Sequence, residues 1–257
     1  MCSQIPHSDY VQPKRGGNDR PQHGGPQPKV IFDEPPNRKR YANTDLPHRR
    51  TICHLKMFLA NGASFFGTGW FVSDDTVLTA GHNILTPDGK FTELVEVIPG
   101  RNQSVEPIGR TKSNRKNCHV LDGWKQTRKK RFDFGAIKLP TSLGAEADHF
   151  KPWIISDAEL EEDWGFNTVG YPHSQSHFGS MWQDYGSLRK FDDHFLYHRF
   201  DTEAGQSGSP LYAREDGVRS AVGVHVYGTP GLHNFAVRLT AELEDKIGTW
   251  IGMPFRT

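Results

Sequence analysis

Three short stretches hold side chains that could perform nucleophilic chemistry together. "DTEAGQSGSPLY", Asp201 to Tyr212, sets Ser207 in a glycine-flanked turn. "LTAGHN" presents His82 just after an apolar run, and "RFDFGAIKL" presents Asp133 at the head of another. A serine hydroxyl is a weak nucleophile at its own pKa; it needs a base to take its proton, and the base needs an acid to orient it. Each stretch alone is weak, since a histidine after a strand is commonly a core residue and an aspartate beside an aromatic commonly caps a turn. All three in the order His, Asp, Ser, each with its flanking residues, point to acyl transfer. The glycines supply a second requirement. An oxyanion hole needs two backbone N–H groups converging on one point, and Gly205 can adopt the angles that pair its N–H with that of Ser207. The Gly-x-Ser-x-Gly elbow of α/β-hydrolases is not met, because Ser209 stands where its second glycine should be.

These side chains need rigid elements to hold them, and the chain offers short strands. "TICHLKMFLANG" alternates Cys53, Leu55, Met57 and Leu59 on one face. "SFFGTGWFVSDDTVLTAGHNIL" reads as strand, a turn at Asp74-Asp75, then strand. "VEVIPG", "FDFGAIKLP", "FNTVGYP", "FLYHRFDT", "SPLYARE", "RSAVGVHVYG" and "HNFAVRLT" add more, with turn signals between them. Strands at this spacing predict an all-β sandwich or barrels. One helix is expected, at the end, from Leu239, Leu243, Ile247 and Ile251 at every fourth position, with Thr240 as its cap. A divide near residues 141–153 gives two units, 30–145 with His82 and Asp133, and 146–257 with Ser207. Residues 1–29, with five prolines, four glycines and no hydrophobic period, are expected to be a disordered leader or prosegment.

The bulk numbers exclude several classes. A net charge of +1 over 257 residues gives the whole molecule no strong pull on nucleic acid or membrane. No apolar run is long enough to cross a bilayer. The first thirty residues lack the apolar core of a signal peptide, so a cytoplasmic or non-classically secreted protein is expected, or a secreted one if the true start lies upstream. Three cysteines, Cys2, Cys53 and Cys118, make no disulfide framework, and free thiols are expected.

With these motifs in place, the chain resembles the glutamyl endopeptidases, serine proteases of the chymotrypsin fold. "GTGWFV…TVLTAGHNI", "PGRN", "DGW", "DFGAIKL", "GYP", "MW" and "DTEAGQSGSPLY" follow in the family's order from about Val30 onward. The resemblance implies two six-stranded antiparallel β-barrels with the active site in the cleft between them, and the C-terminal helix after. It implies His82 as general base, Asp133 as its orienter, Ser207 as nucleophile, and the Gly205 and Ser207 N–H groups as oxyanion hole. It also implies a specificity pocket at Thr202 and at His225, followed by Val226 to Gly228, where a hydroxyl and an imidazole hold a substrate carboxylate. Cleavage after Glu, less readily Asp, is therefore expected. In the family the mature N-terminal amine helps neutralise that carboxylate, which here makes Val30 a possible mature N-terminus. Two departures stand out. Gln206, where trypsin-like zymogens carry Asp, cannot capture a new N-terminus, and Asn83 follows the histidine where family members carry a cysteine.

Other readings compete with these. Arg110 to Arg131 holds nine basic residues and one acidic; it is expected to be a solvated loop ahead of Asp133 rather than a nucleic-acid patch. His173 and His177 have no third ligand at metal-site spacing, so a polar loop is expected. No cofactor and no metal is expected, and the expected partners are protein or peptide substrates of a monomer, with neither membrane nor nucleic acid. The alternatives are a serine protease of broad or small-residue specificity, and a non-catalytic binding module on a protease scaffold.

Overall fold

Alternating apolar side chains fold here into two barrel-like sheets, antiparallel except for one short parallel pair in the second. The computed structural model describes residues 32, 37–162 and 164–252; residues 1–29 and Val30, assigned above to a leader and a mature N-terminus, lie outside them. After a two-residue strand β1 (Lys39–Arg40), the first sheet contains β2 (Ile52–Leu59), β3 (Ser64–Ser73), β4 (Thr76–Thr79), β5 (Thr92–Pro99), β6 (Thr111–Asn114), β7 (Cys118–Val120) and β8 (Gly135–Lys138), in the order β6-β5-β2-β3-β4-β8-β7. The second contains β9 (Lys151–Pro152), β10 (Phe166–Gly170), β11 (Trp182–Gly186), β12 (Lys190–Phe191), β13 (Phe195–His198), β14 (Pro210–Glu215), β15 (Val218–Thr229) and β16 (His233–Arg238). Its order is β1-β11-β10-β14-β15-β16-β13-β12, with β9 beside β15. The two-residue strands β1, β9 and β12 are additions to a six-stranded barrel. Strand β1 reaches across the chain to pair with β11, so the segment before the first barrel is knitted into the second.

The core is aromatic and continuous between the sheets. Trp70, Phe71, Trp124, Phe134, Phe150 and Tyr171 are fully or nearly fully buried in it. The C-terminal helix, Ala241–Ile251, begins where expected: Thr240 Oγ1 accepts from Leu243 N–H, and Gly252 closes the other end in a left-handed conformation. Its Trp250 stacks on Phe134, the residue after Asp133, at 5.9 Å, so the helix braces that strand. Among the described residues no helix is long and apolar enough to cross a membrane. Cys53 and Cys118 are free thiols.

The basic stretch from Arg110 to Arg131 is not a loop. It contains β6, β7, a short helix at Asp122–Thr127 and a single turn at Lys130–Phe132. Trp124 anchors it, with its indole N–H donating to Leu85 O at 2.8 Å.

Candidate active site

The three chemistry-bearing stretches come together where the two sheets adjoin. His82 lies in a single turn just after β4 and Asp133 just before β8, and these two strands are neighbours in register. Asp133 is wholly buried and holds the histidine at two points. Its Oδ2 lies 2.7 Å from His82 Nδ1, and its Oδ1 accepts the His82 backbone N–H at 2.7 Å. The ring is thereby fixed with Nδ1 facing the acid, which leaves Nε2 as the nitrogen to act as base.

Ser207 sits in the turn before β14, and that turn is held by both sheets. From the first sheet, Thr68 N–H donates to Ser207 O at 2.9 Å and the Asn83 side-chain amide donates to the same oxygen at 3.0 Å. Asn83 Nδ2 also donates to Thr79 Oγ1 at 2.8 Å. From the second, Gly208 N–H donates to His225 O and His225 N–H to Ser209 O, both at 2.8 Å. Two glycines are required by this geometry. Gly205 has φ +93°, and a Cβ on it would lie 2.5 Å from Tyr171 O. Gly208, also at φ +93°, passes so close to the first sheet that a Cβ would lie 2.1 Å from Thr68 O. Among the described residues, neither Gly205 N–H nor Ser207 N–H takes an internal partner. Two donors without a partner beside a serine are what an oxyanion hole needs.

Thr202 and His225 are both almost completely buried. Thr202 Oγ1 accepts from Asn234 Nδ2 at 2.9 Å, and the same amide donates to Phe200 O at 2.7 Å. The hydroxyl proton of Thr202 is therefore directed elsewhere. His225 Nδ1 is buried with no hydrogen-bond partner among the described residues, a group that asks for a ligand. Burial, helped by the charge of His82, pushes the His225 pKa down to about 3, so its ring is neutral. Behind it lies His198, ring to ring at 5.4 Å, also held neutral by burial. Val226 turns its side chain into the core, and Gly228 pairs with Asn234.

The acids flanking Thr202 are already engaged. Asp201, fully buried, accepts the Phe32 backbone N–H at 2.7 Å and that of Asn37 at 3.2 Å. Glu203 forms a buried ion pair with Arg38. Burial pushes the Glu203 carboxyl up, but hydrogen bonds from Ser174 and Arg38 outweigh it, so it stays below the ordinary range. His177 joins this cluster, its Nδ1 2.8 Å from Ser174 Oγ and 3.3 Å from Glu203. His173 instead stacks on Phe66 at 4.3 Å. Among the described residues no group of three or more His, Cys, Asp or Glu side chains is placed to hold a metal ion.

Sequence reasoning missed three contributors. Asn83 stands out in the sequence only for not being a cysteine, yet its amide ties Thr79 to Ser207 across the two sheets. Tyr227, inside the quoted "RSAVGVHVYG", packs its ring 5.2 Å from that of His82. Burial, with the Asp133 carboxylate adding to it, raises the Tyr227 phenol well above its ordinary range. Asn234, the donor to Thr202, had no signal, because its role depends on the pairing of β15 with β16.

Comparison with known proteins agrees with this geometry. The family model described as a trypsin-like peptidase domain matches residues 67–224. A glutamyl endopeptidase of Bacillus licheniformis is 30% identical over 222 residues, covering 83% of this chain and 67% of that protein. An extracellular metalloprotease of Bacillus subtilis is 28% identical over 226 residues, covering 87% of this chain and 70% of that protein. Among solved structures, a Glu endopeptidase in complex with MPD superposes with a TM-score of 0.74 at 26% identity, covering 86% of this chain and 98% of that one. A protease from Arthrobacter nicotinovorans, at 15% identity, shares the fold with a TM-score of 0.70, over 84% of this chain and 99% of that one. The chain belongs to the trypsin-like peptidase family, as a serine endopeptidase of the glutamyl endopeptidase type.

Proposed function

We propose that this endopeptidase cuts after Glu, less readily after Asp, with His82, Asp133 and Ser207 as its triad. His82 Nε2 takes the Ser207 Oγ proton as Oγ attacks the scissile carbonyl carbon. The carbonyl oxygen becomes an oxyanion between the Gly205 and Ser207 N–H groups. His82 then gives its proton to the leaving nitrogen, the C–N bond breaks, and an acyl-enzyme remains. A water, deprotonated by His82, attacks the ester; collapse returns the proton to Ser207 Oγ and releases the acid. Asp133 keeps the imidazole oriented and stabilises its charged form.

The observation that carries the Glu reading is the buried His225 Nδ1, which has no hydrogen-bond partner among the described residues, together with the engagement of both acids flanking Thr202. Asp201 and Glu203 are tied to Phe32, Asn37 and Arg38, so they do not offer a carboxylate to a substrate Lys or Arg. A substrate carboxylate entering there meets an imidazole and a hydroxyl, either of which can donate. The name of the Bacillus licheniformis relative points the same way. A cut after Lys29 would free an amine at Val30, two residues from the Phe32 N–H that Asp201 holds beside Thr202.

Digestion of a peptide library, with intact mass measured alongside, tests the reading. Cuts after Glu that disappear in Ser207→Ala support it. Cuts distributed over small or mixed residues would replace it with the broad-specificity alternative, and failure of a fluorophosphonate probe to label Ser207 would favour a binding module.

A further inference from the structure

At the end of the β14–β15 hairpin remote from Ser207, two arginines face each other. Arg214 and Arg219 are paired directly across the antiparallel ladder, so their side chains share one face of the sheet. Like charges set opposite in this way are destabilising. No ion pair offsets them: among the described residues, no carboxylate lies within ion-pair distance of either guanidinium. Arg219 stands six residues before His225 on the same strand, about 20 Å away along an extended chain. The pair is therefore separate from the catalytic residues.

A third arginine joins them from the segment before the first barrel. The one-turn helix Pro47–Arg50 packs here, with Arg219 Nη1 donating to His48 O. The Arg219 guanidinium lies 5.9 Å from the Phe150 ring centroid. Arg49, next in the helix, sets its guanidinium 4.2 Å over the Tyr41 ring. Its Nε is buried with no hydrogen-bond partner among the described residues. Its neighbour Arg50, in contrast, is paired with Asp45. The three guanidinium charges converge on the same groups. Burial raises the Tyr41 phenol, and the charges of Arg219, Arg49 and Arg214 all pull against it. Burial lowers the His48 imidazole, and the same three charges push it further, with Asp148 the one carboxylate opposing them.

Arg219 also lines a cavity of about 730 Å³, a volume that suits a small organic ligand. Phe150, Pro152 and Val218 give the cavity an apolar wall. Lys151 adds a further cation, and Asp148 and Glu244 are its carboxylates. A doubly charged oxyanion fits this arrangement. Guanidinium forks bind phosphate through parallel N–H groups, and a negative charge between Arg214 and Arg219 turns their repulsion into attraction.

We propose that Arg214, Arg219 and Arg49, beside His48, form a binding site for a phosphate group, either inorganic or carried on a small organic body that lies along Phe150 and Pro152. The site goes beyond the peptidase reading and does not rest on it.

The probes are inorganic phosphate and phenyl phosphate, titrated at fixed ionic strength into the full-chain Ser207→Ala protein. Calorimetry reads binding, and NMR follows the His48 ring, assigned by its absence in His48→Gln. Saturable binding is expected, and the His48 pKa should rise as the anion offsets the arginine charges. Affinity should fall roughly tenfold or more in Arg219→Gln and several-fold in Arg214→Gln. Arg214 is exposed, so its variant should fold, with a Tm equal to or above that of the parent because a like-charge pair is gone. Tighter binding of phenyl phosphate would assign the cavity to an organic body, and equal affinities would make inorganic phosphate the ligand; both results uphold the site. Absence of saturable binding by either probe up to about 10 mM would overturn it. So would affinities unchanged in both arginine variants, or a His48 pKa that does not move. Binding of a hexaglutamate peptide in place of both phosphates would also overturn it, and would make this face a docking surface for acidic protein segments.

Discussion

The side-chain amide of Asn83 donates to the backbone carbonyl of Ser207 at 3.0 Å, although 124 residues separate them. The residue next to the proposed base thus holds the proposed nucleophile directly. Both partners are buried, and the backbone oxygen takes its other hydrogen bond from Thr68. Replacing Asn83 with Leu keeps bulk but removes the donor. A displacement of the nucleophile by even a fraction of an ångström is costly to the chemical step. Asn83→Leu should therefore lower kcat by roughly ten- to a hundredfold with KM little changed. Steady-state kinetics at a titrated active-site concentration reads this. An unaltered kcat would show that the amide only fills space.

His225 is expected to discriminate between substrates rather than to drive the reaction. In His225→Ala, a substrate carboxylate would enter a buried site with one donor fewer. Leaving a buried charge short of a hydrogen bond costs about 1.5–3 kcal/mol, or roughly ten- to a hundredfold in rate. The loss of kcat/KM on Glu peptides should exceed that on Ala peptides by about this factor. Equal losses on both would make His225 a structural core residue.

Acid should destabilise this fold through its buried histidines. Burial first, with Arg101 adding to it, holds His54 down to about 3; burial holds His225 at about 3 and His198 well below its ordinary value. In the unfolded chain the same groups bind protons below about 6.5. Between roughly pH 6.5 and 3 the unfolded state therefore carries more protons, so stability falls as pH falls. Each histidine contributes a slope of about 1.4 kcal/mol per pH unit within that window. Melting of the Ser207→Ala protein from pH 8 to 5 should show Tm flat above pH 7 and dropping steeply below 6. A Tm independent of pH across that range would contradict the neutral assignment.

Removing Arg38 should unfold more than a local contact. Its guanidinium neutralises Glu203 inside the protein and lies 5.2 Å from the Trp182 ring centroid. Breaking a buried ion pair from one side costs about 3–5 kcal/mol, because the remaining charge stays uncompensated. Arg38→Ala should show that loss in denaturant unfolding. Arg38→Ala with Glu203→Gln should recover much of it, and a double variant no more stable than the single would point to packing on Trp182 instead.

The reach of the sequence followed the range of the interactions. His82, Asp133 and Ser207 could be named because each sits in a local pattern: an apolar strand running into a polar turn, or a glycine beside a serine; Thr202 and His225 followed only from the family resemblance. The helix cap at Thr240 was legible for the same reason. The links between patterns were not. Asn83 to Ser207, Asn234 to Thr202 and Arg38 to Glu203 each join positions 32 to 165 residues apart, and only strand register decides them. The basic run from Arg110 to Arg131 read as a loop because β6 buries only Ser113 and the helix at Asp122–Thr127 is too short to show a period. Its Lys130 then proved to overlie the pocket strand, which no charge count along the chain could indicate.

The nucleophile turn takes hydrogen bonds from Thr68 and Asn83 on one side and from the His225 strand on the other. It is thus the seam of the molecule as well as its cutting edge. An opening that slid one barrel against the other would break these bonds, so it would displace Ser207 as well as separate the sheets. With Ser207 as nucleophile, such a loosened copy would lose its cutting edge together with its fold.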